Sequence, residues 1–362
     1  MKRTPDYTFI AVAFALVIFG LVMLASASSD LGKARFGDSF YYLKHQLLFG
    51  FSAGLLGFIV GYFLYYRKWE KFSVLLLLLS IILLVLVFTP LGFKAYGAER
   101  WLNVFGFTVQ PGEILKLTFL VYLASWVGKN IARSRSFLEG FLPFLCLVGF
   151  VMLLLLAQPA TTTAAIVFGA SLFVYFAAGA RFRFLILAVL VSVIGLAMII
   201  YLTPYRLNRV LSFLNKDADV LGSTYHINQA LNAIGSGGIT GVGFGQSTTK
   251  LKYLPEPVSD SIFAIVGEEL GFAGSVALVL LFLFFIVRGF RIAKAAPDKF
   301  SQLLVTGFVS LIGIQAFINM ASISGLLPLT GVPLPFISYG GTALAVFLTM
   351  SGIVANISKY RK

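Results

Sequence analysis

The chain has one cysteine in 362 residues, Cys146. No disulfide can form within it, and a metal centre built on several thiolates is excluded. Cys146 lies in an apolar run and reads as a small hydrophobe inside a membrane. Histidine is almost as scarce, with His45 and His226 the only two, and nothing beside His45 stands at metal-ligand spacing. Charge is scarce too: 12% of residues are charged against 59% hydrophobic, and the mean hydropathy of +0.94 lies far outside the range of soluble domains. A net charge of +14 in a soluble protein would point to nucleic acid. Here its placement along the chain decides what it means.

What is abundant is the apolar run of about 20 residues. Ten such spans can be drawn, at roughly 7–27, 45–65, 72–90, 112–128, 139–157, 161–180, 184–203, 261–287, 301–322 and 341–357. They make an all-α, polytopic membrane protein of a single domain, 1–362. With the N-terminus in the cytoplasm, that side receives Lys2, Arg3, Arg67, Lys68, Lys71, Lys129, Arg133, Arg135, Arg181, Arg183, Arg288, Arg291, Lys294, Lys299, Lys359, Arg361 and Lys362. Every cytoplasmic turn is short and basic, as the positive-inside rule requires. Both termini are therefore placed in the cytoplasm and the long connection 204–260 outside, and the positive charge needs no nucleic acid to account for it. Lys2 and Arg3 before an apolar run ending in Ala25-Ser26-Ala27 imitate a signal peptide, but the run exceeds a cleavable core and reads as an uncleaved first span.

The outer loop with Asp30, Asp38 and His45 reads as solvated. Residues 97–117, GAERWLNVFGFTVQPGEILKL, are expected to lie on or dip into the membrane, with Gln110-Pro111 marking a helix start. Glu113 and Lys116 share one face of that helix. A charged pair inside a span is costly and faces a cavity or the bundle interior; a helix-locking ion pair is the plain alternative to a substrate contact. At 157–163, AQPATTT, the threonines are expected to cap the following helix.

The connection from Pro204 to Asp260 is the only long outer loop, and loops of that length tend to carry function. Ile227, Leu231 and Ile234 recur at helical spacing up to Gly235, predicting an amphipathic surface helix with a glycine C-cap. Glycines 237, 238, 241, 243 and 245 follow without the strand or the lysine of a P-loop, and allow the backbone to approach a ligand closely. Asp260 opens the eighth span after Pro255 and Pro257. Two readings stand side by side: a helix cap, which Ser259 would serve equally well, and a general base at the outer boundary beside Lys250, Lys252 and Glu256. Glu268 and Glu269, two turns deeper, read as structural hydrogen-bonding groups facing the bundle. Gln315 and Asn319 form a polar stripe, and residues 324–344 read as a rigid, non-helical turn packed against protein.

Four blocks in order resemble the SEDS family (FtsW/RodA/SpoVE) over nearly the whole chain: GAERWLN with QPGEILK; PYRLNRVLSFLN leading to HINQALNAIGSGG; GVGFGQSTTKLKYLPEPVSDSIFAIVGEELG; and GLLPLTGVPLPFISYGG. The third block is most similar to the division-type FtsW pattern. The resemblance implies a ten-span fold and peptidoglycan glycosyltransferase activity on lipid II at the outer face of the bacterial cytoplasmic membrane. It places the family's essential aspartate, in the pattern LPE-x-x-x-D, on Asp260. Two departures are Ala160 after Gln158-Pro159, where many members have an acidic residue, and Ser261, where Asp-Phe-Ile-Phe is usual.

Asp260 is then expected to take the proton from the GlcNAc 4-hydroxyl of an incoming lipid II, which displaces undecaprenyl diphosphate from the growing chain with inversion. Candidate substrate-contacting residues are Arg100, Glu113, Lys116, Arg206, Lys250, Lys252, Glu256, Gln315, Asn319 and Ser338. The cations among them, or a divalent ion such as Mg or Mn, would neutralise the diphosphate. Implied partners are lipid II, the lipid-linked glycan chain, a class B penicillin-binding transpeptidase and other divisome or elongasome membrane proteins. Rival functions are a lipid II flippase without bond chemistry and a non-catalytic scaffold. The lack of an obvious inverted repeat speaks against the flippase.

Overall fold

Long aliphatic runs surrounded by lipid fold as helices, because a helix pairs each interior N–H and C=O within its own segment. The computed structural model of the chain describes residues 4–95, 98–104, 107–203, 207, 223–252 and 254–361. Helices occupy all ten expected positions: α1 Tyr7–Phe36, α2 Tyr41–Phe63, α3 Ser73–Leu86, α4 Pro111–Lys129, α5 Phe137–Ala157, α6 Thr161–Ala177, α7 Phe182–Leu202, then α9 Ile262–Lys294, α10 Lys299–Ile323 and α11 Gly341–Ser358, with α8, Ser223–Ser236, in the long connection. Seven of them (α1, α2, α5, α7, α9, α10 and α11) are long and apolar enough to cross a membrane; α3 and α6 are shorter apolar helices. α7 turns Leu190, Ile194, Met198 and Leu202 outward, and Cys146 is exposed on α5. Surfaces of this kind suit lipid, not water.

The side assignment has a structural counterpart. Asp6 meets Arg288 at 2.9 Å and Arg361 at 3.2 Å, while Asp298 accepts from Tyr66 at 2.6 Å and Arg67 at 3.2 Å. Residues placed on one side by charge alone thus gather at one end of the bundle.

Close packing holds the spans together. Along α2, Gly54, Gly57 and Gly61 lie against α11; a Cβ on Gly61 would sit 2.8 Å from the Ile353 nitrogen, and one on Gly352 2.3 Å from the Phe58 carbonyl oxygen. Small residues let two helix backbones approach where no hydrophobic effect drives association.

Three local expectations need correction. Residues 92–95, 98–104 and 107–109 form a three-stranded antiparallel sheet, β1 Gly92–Ala95, β2 Ala98–Val104 and β3 Phe107–Val109, a strand pairing that the reading of 97–117 as a membrane-surface segment does not include. The terminal pairs are Ala95↔Ala98 and Val104↔Phe107; in the sequence a Tyr-Gly and a Phe-Gly dipeptide separate them, and glycine at the second position of such a dipeptide is a hairpin signal. Next, α1 runs to Phe36 and α2 starts at Tyr41, so Asp30 and His45 are helical and not part of a solvated loop. Finally, α8 continues through Gly235 to Ser236. It buries Thr224, Ala230 and Ala233 and leaves Leu231 exposed, because its inward face must fit closely against α9.

The glycine-rich run has a structural task. α9 breaks at Gly271, with φ 65° and ψ −164°, and residues 238–243 pair with the opened backbone. Phe272 N–H donates to Gly238 O at 2.9 Å and Ala273 N–H to Ile239 O at 3.0 Å; Val242 N–H and Gly243 N–H donate to the carbonyls of Glu268 and Glu269 at 3.0 and 3.1 Å. A Cβ on Gly237 would lie 1.9 Å from Gly267 O, and one on Gly241 2.2 Å from Glu269 O. The close approach expected to serve a ligand is made to α9 instead. Gly241→Ala, at φ +84°, is expected to cost about 2 kcal/mol or more. Gly235→Ala, exposed within α8 with open space around it, should instead gain about 0.5–1 kcal/mol. Melting of the detergent-solubilised protein reads both.

Candidate active site

Asp260 closes a turn, 254–261, that delivers the chain into α9. Pro255 and Pro257 have no N–H to give, and Glu256 takes φ 47°, a conformation that non-glycine residues adopt at a cost. The turn is held by Ser259 N–H and Ser261 N–H donating to Glu256 O at 3.3 and 3.2 Å, and by Ser259 Oγ donating to Glu256 Oε2 at 3.2 Å. The N-cap of α9 falls on Ser261, with no side-chain cap bond. Neither Asp260 nor Ser259 is the cap: the two prolines and the Glu256 turn hold both residues ahead of the helix.

The backbone on both sides of the Asp260 carboxyl group is pinned by α10 and the 324–340 loop that follows it. Asn319 Nδ2 donates to Asp260 O at 2.9 Å and to Val332 O at 2.8 Å. Ser338 Oγ donates to Ser259 O and accepts from Leu334 N–H at 2.8 Å, and Tyr339 N–H donates to Val258 O at 2.9 Å. Gly331, at φ +63°, faces the carboxylate; a Cβ there would come within 3.4 Å of Asp260 Oδ2. The loop lies deep, its Phe336 O and Ile337 Cα both 2.6 Å from where a Cβ of Gly20 in α1 would stand. Non-helical backbone is tolerated at that depth because protein surrounds it.

Gln315, one turn from Asn319, donates from Nε2 to Pro333 O at 2.9 Å and accepts at Oε1 from Lys116 Nζ at 2.8 Å, which also reaches Glu113 Oε1 at 2.6 Å. Glu113 and Lys116 are 2% and 0% exposed. The pair expected on one face of α4 is therefore present, and through Gln315 it supports the loop that carries Gly331.

Lys250 is also turned inward. Its Nζ donates to Glu269 Oε1, Ser26 Oγ and Gly245 O, each at 2.9 Å, which uses all three ammonium hydrogens. Glu268 accepts from Ser247 Oγ, from Thr249 Oγ1, and from the N–H groups of Thr248 and Thr249 at 3.0 and 3.3 Å. It thereby anchors the start of the short helix Thr249–Lys252, so both glutamates have the structural hydrogen-bonding role expected of them. Arg100, on β2, donates from Nε to Gln158 O at 3.0 Å and from Nη2 to Pro159 O. Gln158 Nε2 in turn donates to Leu84 O at 2.7 Å. The N-cap of α6 is Ala160, without a side-chain cap bond, and Thr162 Oγ1 donates to Thr330 O at 3.0 Å; Thr162 ties α6 to the loop, and none of the threonines caps the helix. Arg206 and the side chain of Lys252 lie outside the described residues.

Three side chains near this site were not among the candidates, although His226 opens the block HINQALNAIGSGG. His45 Nδ1 lies 2.9 Å from Tyr339 OH, and Gln46 Oε1 accepts from Gly340 N–H at 3.1 Å, joining α2 to the loop. His226 Nε2 lies 2.6 Å from Ser261 Oγ, which also donates to Pro255 O at 2.8 Å. The departure at position 261 thus places a hydroxyl where it bridges the turn and α8. Among the described residues no group of three or more His, Cys, Asp or Glu side chains is placed to hold a metal.

A family model described as "Cell cycle protein", covering FtsW, RodA and SpoVE, matches residues 6–362. The chain belongs to this family. It is 39% identical to stage V sporulation protein E of Bacillus subtilis, over 100% of this chain and 99% of that protein. It is 38% identical to a Geobacter metallireducens protein named probable peptidoglycan glycosyltransferase FtsW, over 99% and 95%. Among solved structures it matches a chain from work on structural coordination of polymerization and crosslinking by a peptidoglycan synthase complex, with TM-score 0.81, 26% identity and coverage of 99% and 98%. It also matches the rod shape determining protein RodA of Thermus thermophilus, with TM-score 0.73, 26% identity and coverage of 99% and 98%. The architecture is thus the multi-pass membrane fold of RodA.

Proposed function

We propose that the chain is a peptidoglycan glycosyltransferase that polymerises lipid II into β-1,4 glycan strands at the outer face of the bacterial cytoplasmic membrane. The observation that carries this reading is the placement of Asp260, its flanking carbonyls gripped by Asn319 and Ser338 and a glycine in front of its carboxylate. A base whose backbone cannot shift meets the positional demand of proton transfer. Asp260 takes the proton of the GlcNAc 4-hydroxyl of lipid II. That oxygen attacks the anomeric carbon of the terminal MurNAc of the growing chain, undecaprenyl diphosphate leaves, and the configuration inverts.

The leaving group needs counter-charge more than a proton donor. Arg100, Lys116 and Lys250 aim donors at protein carbonyls, amide oxygen or carboxylates, so their first contribution is to shape the site. Arg206 and Lys252, whose side chains lie outside the described residues, stand with them as candidates for the diphosphate charge. A Mg or Mn ion would supply further counter-charge to the diphosphate, and no step is assigned to it. The similarity of the third sequence block to FtsW favours cell division as the setting. The structural likeness to a peptidoglycan synthase complex supports a class B penicillin-binding transpeptidase as partner.

The test is purified protein, alone and with that transpeptidase, given lipid II in detergent. Glycan strands and released undecaprenyl diphosphate are expected. Lipid II crossing vesicle membranes without any polymer would replace this reading with that of a transporter.

A further inference from the structure

The hydroxyl of Ser261 has one hydrogen and two neighbours: Pro255 O at 2.8 Å and His226 Nε2 at 2.6 Å. A carbonyl can only accept, so the serine gives its hydrogen to Pro255 O. His226 must therefore be the donor, carrying a proton on Nε2. Ser261 is fully buried, and its own N–H is given to Glu256 O. Residues 259, 260 and 261 are thus held in succession, the first two through their carbonyls by Ser338 and Asn319 and the third through its side chain by His226. The first two supports come from α10 and the loop that follows it. His226 stands on α8, in the long connection.

α8 itself is seated firmly. Ala230 and Ala233 are buried, and Ile234 lies against Gly267 of α9, its Cα 3.3 Å from where a glycine Cβ would stand. A displacement of α8 therefore moves the Nε2–H that holds the turn immediately after Asp260. From this geometry we infer that His226 is a positioning residue for the reaction, acting through Ser261 to aim the Asp260 carboxylate and coupling the long outer connection to the catalytic turn. The inference rests on the reading of Asp260 as base.

Steady-state polymerisation of lipid II by the full-length protein with its transpeptidase partner tests it, using His226→Ala, Ser261→Ala, the double variant and His226→Gln, with Asp260→Asn alongside. The single alanine variants are expected to lower kcat about tenfold while KM stays within about twofold, because only the aim of the base is loosened. The double variant should be no worse than either single one, since both remove the same bond. His226→Gln, which keeps an N–H donor, should recover most of the lost kcat. Melting temperatures identify any variant that has lost its fold, and the glutamine variant then decides. Wild-type kcat in both alanine variants, fully additive losses, or no rescue by glutamine would overturn the role of His226. Normal polymerisation by Asp260→Asn would instead overturn the base assignment, whatever the His226 variants do.

Discussion

Asp260→Asn protein is expected to form no glycan strand from lipid II above a background about 10²–10⁴ times slower than wild type, the usual contribution of a positioned general base. The substitution keeps the size and shape of the side chain, removes its charge and basicity, and exchanges one acceptor oxygen for an NH2 donor. The backbone of the turn is held by other groups: Asn319 grips the Asp260 carbonyl and Ser338 the Ser259 carbonyl, and Asp260 is not the cap of α9. The melting temperature should therefore stay close to that of the native protein while kcat collapses, with KM little changed. Polymerisation at the native rate by a folded variant would remove Asp260 from the chemistry. A collapse of both folding and activity would mean that the carboxylate is structural.

Lys116→Met is expected to lower stability by about 3–5 kcal/mol, the range for breaking a buried ion pair by removing one partner. Lys116 is 0% exposed and Glu113 2%. Among the described residues Glu113 Oε2 already has no hydrogen-bond partner, so without the ammonium the carboxylate is left buried and uncompensated. Gln315 would also lose the donor at its Oε1, loosening the arm that holds Pro333 and the loop facing Asp260. The double variant Glu113→Leu, Lys116→Met removes the stranded charge, and its melting temperature should recover most of the loss. Failure to recover would show that the pair does more than neutralise itself. Polymerisation by the double variant separates the two roles of Lys116: activity that returns with stability makes it a counter-ion, whereas a stable but inactive protein puts its charge on the diphosphate.

Hydropathy and charge carried most of the architecture. Ten helices stand where apolar runs of membrane length predicted them, because lipid leaves a chain no other way to satisfy its backbone, and cations that the basic turns put on one side, Arg67, Arg288 and Arg361, pair with Asp298 and Asp6. The family was legible in four polar blocks, since these interrupt an otherwise apolar chain. The sheet at 92–109 was missed although Tyr96-Gly97 and Phe105-Gly106 were in view, because the aromatic pattern around them also suits a membrane surface.

The site itself divides along a different line. Residue types near Asp260 could be named in advance, but not what each one touches. The sequence by itself determined that Asp260, the glycine run, Lys116 and Lys250 are unusual, since polar groups and flexible backbone are costly in such a chain and need a cause. Only the tertiary structure decided that Lys250 meets Glu269 and Ser26, that Gly241 is pressed against Glu269, and that His226 reaches Ser261 across 35 residues. Hydropathy is a property of single segments, and a hydrogen bond between segments depends on how their helices pack.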